Sequence, residues 1–167
     1  IRLMTDEKAE ILSKCKYDGD FIFAFDNIED KEIISKKLEL WREYTKKTTK
    51  LYVFCGFDRN GKYNLDFERQ DFIDLFERIK ILMKNKCLPY IMRFKKYEEL
   101  KHRGMYINIA RWCNQPNFFL KKSLMEWIEA DTQRNNESCS TNRYFKLFKS
   151  DFPDLVEKYF NLKYEED

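Results

Sequence analysis

Three short runs of apolar and aromatic residues constrain the fold of this chain more than any other feature. They occupy residues 21–25, 51–55 and 88–92, and each ends at polar or turn-forming residues. An unbroken run of this length is typical of a strand that is buried on both faces. Each of the first two runs is followed by an amphipathic helical pattern, at about residues 30–44 and 67–84. Strands that alternate with such helices predict βαβ units and a parallel sheet.

The length of the chain limits the architecture. A closed eight-stranded barrel needs about 250 residues, and this chain has 167. We therefore expect an α/β fold over residues 1–104, either a partial (β/α) barrel or a small parallel sheet with crossover helices. Residues 1–4 are a candidate for the stub of a fourth strand. A helical segment at residues 105–167 is expected to pack on this sheet, within one domain.

The helical segment is expected to contain several short helices. Apolar spacing predicts them at residues 105–113, 120–128, 144–148 and 155–160. The stretch at 131–141 is polar, and it predicts a loop.

Composition and cysteine spacing exclude several classes of protein. Lys and Arg number 32 against 29 Asp and Glu, so the net charge of +3 does not by itself indicate a nucleic-acid-binding protein. No two of the five cysteines have the short spacing of a zinc knuckle or a cluster motif. Free thiols favour a cytoplasmic protein. The apolar runs are too short to span a membrane, so no membrane association is expected.

Polar residues follow each predicted strand where the strand ends. Asp26 and Asn27 follow the first run, Gly56 and Phe57 follow the second, and Arg93 follows Met92 at the end of the third. The carboxyl ends of parallel strands meet at one edge, which is where α/β proteins bind ligands. Glycine lets the backbone approach a ligand closely, and arginine pairs with carboxylates. These residues therefore predict one binding rim, although turn and helix-cap roles explain each of them separately.

Four motifs in order resemble those of radical S-adenosylmethionine proteins, particularly compact phage-associated members. They are the segments FIFAFDN at 21–27, LYVFCGFD at 51–58, PYIMR at 89–93 and ARWCN at 110–114. That family uses a partial α/β barrel and binds S-adenosylmethionine together with a [4Fe–4S] cluster. The cluster is held by a C-x-x-x-C-x-x-C motif that this chain lacks. The resemblance thus implies the C-terminal portion of such an enzyme, inactive alone, with the cluster in the parent protein only.

The resemblance also assigns the rim residues. It implies that Asp26 and Asn27 lie near the ribose or methionine part of the cofactor. Gly56 and Phe57 would lie near the adenosine, and Met92 and Arg93 would line the adenine or substrate side. The partner would be the missing N-terminal half of the barrel, or a second copy associated through an exposed strand edge. The catalytic residues and the substrate are not implied.

Two other functions remain open from the sequence. One is a non-catalytic module that binds nucleic acid or protein through a basic, aromatic edge. This edge would consist of Arg42, Lys46, Lys47, Lys50, Lys95, Lys96, Lys101 and Arg103, with Tyr52, Tyr97 and Tyr106 interleaved. The other is a nuclease-like domain in which Asp26 and Asp58 hold Mg²⁺.

The remaining notable residues are expected to be structural. His102 is the only histidine and lies in a charged run, which favours a solvated surface position. Cys55 is expected to be a small buried apolar residue. The three tryptophans fall on apolar helical faces and are expected in the core: Trp41, Trp112 and Trp127.

Overall fold

The computed structural model describes residues 1–164 and confirms an α/β fold. The strands are β1 (Phe21–Ala24), β2 (Thr49–Cys55) and β3 (Leu88–Arg93). The helices are α1 (Asp6–Lys14), α2 (Lys31–Tyr44), α3 (Leu65–Lys84), α4 (Arg103–Cys113), α5 (Pro116–Phe119), α6 (Leu124–Asn135), α7 (Ser140–Asp151) and α8 (Pro153–Tyr159). Short 3₁₀ segments at Ile28–Asp30 and Lys95–Glu99 follow β1 and β3.

The sheet has three parallel strands in the order β1-β2-β3. In register, Phe23 lies opposite Leu51, which lies opposite Pro89. The predicted parallel sheet with crossover helices is therefore present. Residues 1–4 form a turn, closed by a hydrogen bond from the Met4 amide to the Ile1 carbonyl at 2.9 Å, so the fourth strand suggested for them is wrong.

Within residues 1–164, helices cover only one face of the sheet. Consecutive crossovers of the same hand place their helices on the same side, and α3 and α4 pack there against β2 and β3. The opposite side, called the open face below, exposes Ile22 (46%), Tyr52 (38%), Tyr90 (43%) and Met92 (44%). The prediction that the strands are buried on both faces is therefore wrong, because no described element covers the second face.

The C-terminal helices share a core with the sheet. Leu51 and Ile91 of the sheet belong to the same buried cluster as Trp112, Phe148 and Phe160. The helical segment thus packs on the sheet as expected, and residues 165–167 of the predicted segment lie outside the described residues.

The loop predicted at 131–141 is mostly helical. The helix α6 continues to Asn135 and α7 begins at Ser140, so only four residues separate them. A capping box in which Ser123 and Glu126 exchange hydrogen bonds starts α6. Once a helix has started, each further residue adds a hydrogen bond at low cost, so polar residues extend it.

His102 is buried, so its predicted surface position is wrong. Its ring lies among the rings of Phe72, Phe148 and Phe152, and its Nε2 atom is 2.9 Å from Asp151 Oδ2. Burial lowers the pKa of His102, although the neighbouring carboxylates oppose this effect. The charged side chains around it in the sequence point to solvent, while the ring itself completes the aromatic core.

The predicted core residues are confirmed. Cys55 is buried, and so are all three tryptophans, Trp41, Trp112 and Trp127. None of the described helices is sufficiently long and apolar to cross a membrane.

Candidate functional site

A cavity of about 300 Å³ lies at the carboxyl ends of β1 and β2, and we call it the rim cavity. Its walls come from the segments that follow these two strands and from one side of α3. The lining residues are Asp26, Asn27, Ile28, Glu29, Phe54, Cys55, Phe57, Arg59, Asp71, Asp74 and Arg78. The volume is at the lower end of the range for small-molecule sites, and its position matches the usual ligand site of α/β proteins.

Three of the predicted rim residues line this cavity, namely Asp26, Asn27 and Phe57. Gly56 adjoins it, because its amide donates a hydrogen bond of 2.8 Å to Asp71 Oδ2. The backbone of Gly56 has a φ of +76°, which residues with a side chain rarely adopt, and a Cβ atom here would lie 3.3 Å from Tyr97 Cβ. Glycine is thus required both by the turn and by the close approach of the 3₁₀ segment after β3.

Met92 and Arg93 do not line the rim cavity. Met92 projects from the open face, in register with Phe54. The Arg93 guanidinium lies over the ring of Tyr97, 4.6 Å from its centroid, and donates to the Tyr97 hydroxyl at 3.3 Å. Neither residue reaches the rim cavity, whose lining comes from the ends of β1 and β2 and from α3 rather than from β3.

Three lining residues on α3 were missed by the sequence analysis: Asp71, Asp74 and Arg78. They are spaced by three and four residues, so they share one side of the helix. Glu68 extends this polar stripe by one turn, and its buried carboxylate accepts from the amides of Lys101 and His102. Charged residues at helical spacing among the apolar positions of α3 were a signal in the sequence for this side of the site.

Arg78 holds the strand ends together. The Nη1 atom of its buried guanidinium donates to the carbonyls of Phe25 at 3.1 Å, of Asp26 at 2.8 Å and of Phe54 at 2.8 Å. Its Nε atom donates to the Asp74 carbonyl one turn earlier, at 3.0 Å. Arg78 thus supplies hydrogen-bond donors to backbone carbonyls at the ends of β1 and β2. It also forms part of the wall of the rim cavity.

Asp71 is an ionisable group that lines the cavity and is partly buried. Burial raises the pKa of its carboxyl group, and hydrogen bonds from the Tyr106 hydroxyl and the Gly56 amide oppose this effect. Burial also raises the pKa of the neighbouring Cys55 thiol far above its usual range, so this thiol stays protonated and unreactive at neutral pH. A carboxyl group with a raised pKa in a cavity is a common feature of functional sites.

The raised pKa of Asp71 predicts a specific pH dependence of stability. The folded state binds the Asp71 proton more tightly than the unfolded state does, so this contribution is complete below the unfolded pKa, near 3.8. It is lost as the pH rises through the folded pKa. In Asp71→Asn, which keeps an acceptor oxygen but does not titrate, this loss should be absent. Urea unfolding from pH 4 to pH 8 should show wild type losing stability relative to the variant, and a constant difference would contradict the assignment.

The described residues do not fit the metal-based hypotheses. Within residues 1–164, no three His, Cys, Asp or Glu side chains are grouped so that they could hold a metal ion. Asp58 does not line the cavity with Asp26. Its carboxylate instead accepts from the amides of Asn60 and Lys62 in its own turn. The pairing of Asp26 and Asp58 around Mg²⁺ is therefore not supported by this arrangement.

The basic residues proposed to form one edge are divided between the two ends of the sheet. Lys46, Lys47 and Lys50 lie at the amino end of β2, and Lys95 and Lys96 follow the carboxyl end of β3. Several of these charges are also paired within the chain, as Lys50 is with Asp20 and Lys101 is with Asp151. They do not form a continuous track for a nucleic-acid backbone.

Comparisons with known proteins identified no relative of this chain. A scan against protein-family models found no matching family, and searches of the curated proteins and of the solved structures found no significant match.

Proposed function

We propose that the rim cavity binds S-adenosylmethionine and that this chain supplies part of the cofactor site of a radical S-adenosylmethionine enzyme. The observation that carries the proposal is the cavity at the carboxyl ends of β1 and β2, lined by Asp26, Asn27 and Phe57. These are residues to which the sequence resemblance assigns cofactor contacts.

The charges around the cavity suit this ligand. S-adenosylmethionine carries a sulfonium, an ammonium and a carboxylate group, so its net charge is positive. Four carboxyl groups line the cavity against two arginines. Arg78 already donates to backbone carbonyls through Nη1 and Nε, so we assign the ligand's carboxylate to Arg59. Asp26 and Glu29 would meet the positive groups, and Asn27 would meet the ribose hydroxyls.

The cavity holds part of the ligand rather than all of it. Its volume of about 300 Å³ suits a ligand smaller than S-adenosylmethionine. The rest of the molecule would extend over Phe57, whose exposed ring offers a stacking surface for adenine. The iron–sulfur cluster does not fit the described residues, because the cysteines are far apart in sequence and no metal-binding group is formed. The chain alone is therefore expected to bind the cofactor without cleaving it.

Asp26→Asn tests the proposal, because Asp26 is exposed and its replacement leaves the core intact. Losing a charged hydrogen-bond partner costs about 1.5–3 kcal/mol, so the variant should bind S-adenosylmethionine at least about tenfold more weakly. Isothermal titration calorimetry measures this affinity. Asp20→Asn, at the amino end of β1, is the matched control and should bind as wild type does.

Two results would count against the proposal. Equal affinity of wild type for S-adenosylmethionine and for S-adenosylhomocysteine, which lacks the sulfonium charge, would show that the carboxylates do not recognise the cofactor. No binding of S-adenosylmethionine by wild type at millimolar concentration would remove the proposal entirely.

A further inference from the structure

The strand β1 is an edge of the sheet with unused hydrogen-bonding groups. The amides of Phe21 and Phe25 donate to the carbonyls of Thr48 and Tyr52, beside and within β2. Because amides alternate in direction along a strand, those of Ile22 and Ala24 point away from β2. No described strand lies on that side. An edge of this kind is a template for another strand.

Apolar surface lies on both sides of this edge. On the helix side, a groove of about 350 Å³ is lined by Ile1, Leu3, Met4, Lys8, Ile11, Leu12 and Phe23. Within it, Leu3 is 81% exposed and Ile11 is 58% exposed. On the other side, Ile22 projects from the open face. A strand added beside β1 would therefore bury alternate side chains in the groove and the remaining ones along the open face.

The charges at the ends of β1 indicate which strand fits. Acidic residues precede it at Asp18 and at Asp20, which is paired with Lys50, and they follow it at Asp26 and Glu29. The antiparallel pairing of two copies that places Ile22 opposite Ala24 also places Asp20 opposite Asp26 of the second copy. Like charges directly opposite each other destabilise strand pairing. A parallel pairing of two β1 edges is not symmetric, so it does not form a closed dimer.

We propose that the β1 edge binds an extended segment of another polypeptide, with apolar residues at alternate positions and Lys or Arg at both ends. The segment adds to the sheet as a fourth strand. Backbone hydrogen bonds to Ile22 and Ala24 supply affinity, the groove selects the apolar side chains, and the acidic ends select the basic flanks. The groove shares no residue with the rim cavity, although Asp26 and Glu29 at the carboxyl end of β1 line that cavity.

A labelled peptide tests the proposal on the intact chain. The probe is the capped octapeptide Lys-Lys-Val-Thr-Leu-Thr-Val-Lys, and fluorescence anisotropy measures its binding. The same peptide with glutamate in place of every lysine should bind at least about tenfold more weakly at low salt. The peptide with alternate backbone amides methylated should not bind, because it cannot pair with an edge. Equal binding by all three peptides, or no binding of the first at millimolar concentration, would overturn the proposal.

Variants of the chain locate the site. Leu3→Asp places a charge in the groove and should weaken binding of the first peptide at least about tenfold. Ile33→Asp is the matched control, because Ile33 is an exposed isoleucine on α2 that does not line the groove, and it should bind as wild type does. Sedimentation velocity tests whether a second copy of the chain binds the β1 edge instead. A stable dimer that Ile22→Pro dissociates would show that it does, contrary to the proposal.

Discussion

Replacing Gly104 with alanine is expected to lower the free energy of unfolding by about 3 kcal/mol. A Cβ atom at this position would lie 2.1 Å from Cγ of the Tyr144 ring and 2.2 Å from Cδ1. The contact is with the near end of the ring, which cannot move away without displacing α7 from α4. In a chain of this length the melting temperature should fall by about 10 °C. Glycine is needed here for the close approach of the two helices.

The sign of this effect separates packing from helix propensity. In an exposed helix, Gly→Ala stabilises by about 0.5–1 kcal/mol, so propensity alone predicts the opposite result. Tyr144→Ala removes the ring, and in that background Gly104→Ala should be neutral or slightly stabilising. Urea unfolding of the two single variants and the double variant gives the coupling energy between the positions. A melting temperature of Gly104→Ala equal to or above that of wild type would mean that α7 yields to the methyl group.

Arg78→Met is expected to destabilise the chain by about 3–5 kcal/mol, since it removes a buried guanidinium that donates hydrogen bonds to several backbone carbonyls. The carbonyls of Phe25, Asp26 and Phe54 would lose their donor at the ends of two strands. Methionine has a similar length but no hydrogen-bond donor, so the lost volume is small. Arg78→Lys should be less destabilising, because one ammonium group can replace only some of these hydrogen bonds. Chemical denaturation measures the free energy of unfolding of wild type, Arg78→Met and Arg78→Lys.

Arg69→Met is the matched control on the same helix. Arg69 pairs with Asp154 at 2.6 Å on the surface, and an exposed ion pair contributes less than about 1 kcal/mol. We therefore expect a small effect at Arg69 and a large one at Arg78. Equal effects at the two positions would show that the carbonyls around Arg78 find other partners when the guanidinium is removed.

The candidate site could be predicted in part, because strand ends are visible in the sequence. Asp26, Asn27 and Phe57 follow apolar runs, and the parallel arrangement brings their segments together at the rim cavity. Met92 and Arg93 also stand at the end of an apolar run. The run does not show which face of the sheet each of the two side chains occupies. This depends on which face of β3 the helices α3 and α4 cover, and those helices lie outside β3.

The sequence by itself determined the order of strands and helices, the parallel direction of the sheet and the core positions of Cys55 and the tryptophans. These follow from periodicity within one element, because a strand alternates every two residues and a helix repeats every 3.6. Only the tertiary structure decided that one face of the sheet stays open, that His102 is enclosed by aromatic rings and that α3 contributes Asp71 and Arg78 to the cavity. The physical reason is that burial depends on elements distant in sequence, and a local pattern shows that a residue can be buried without showing what covers it.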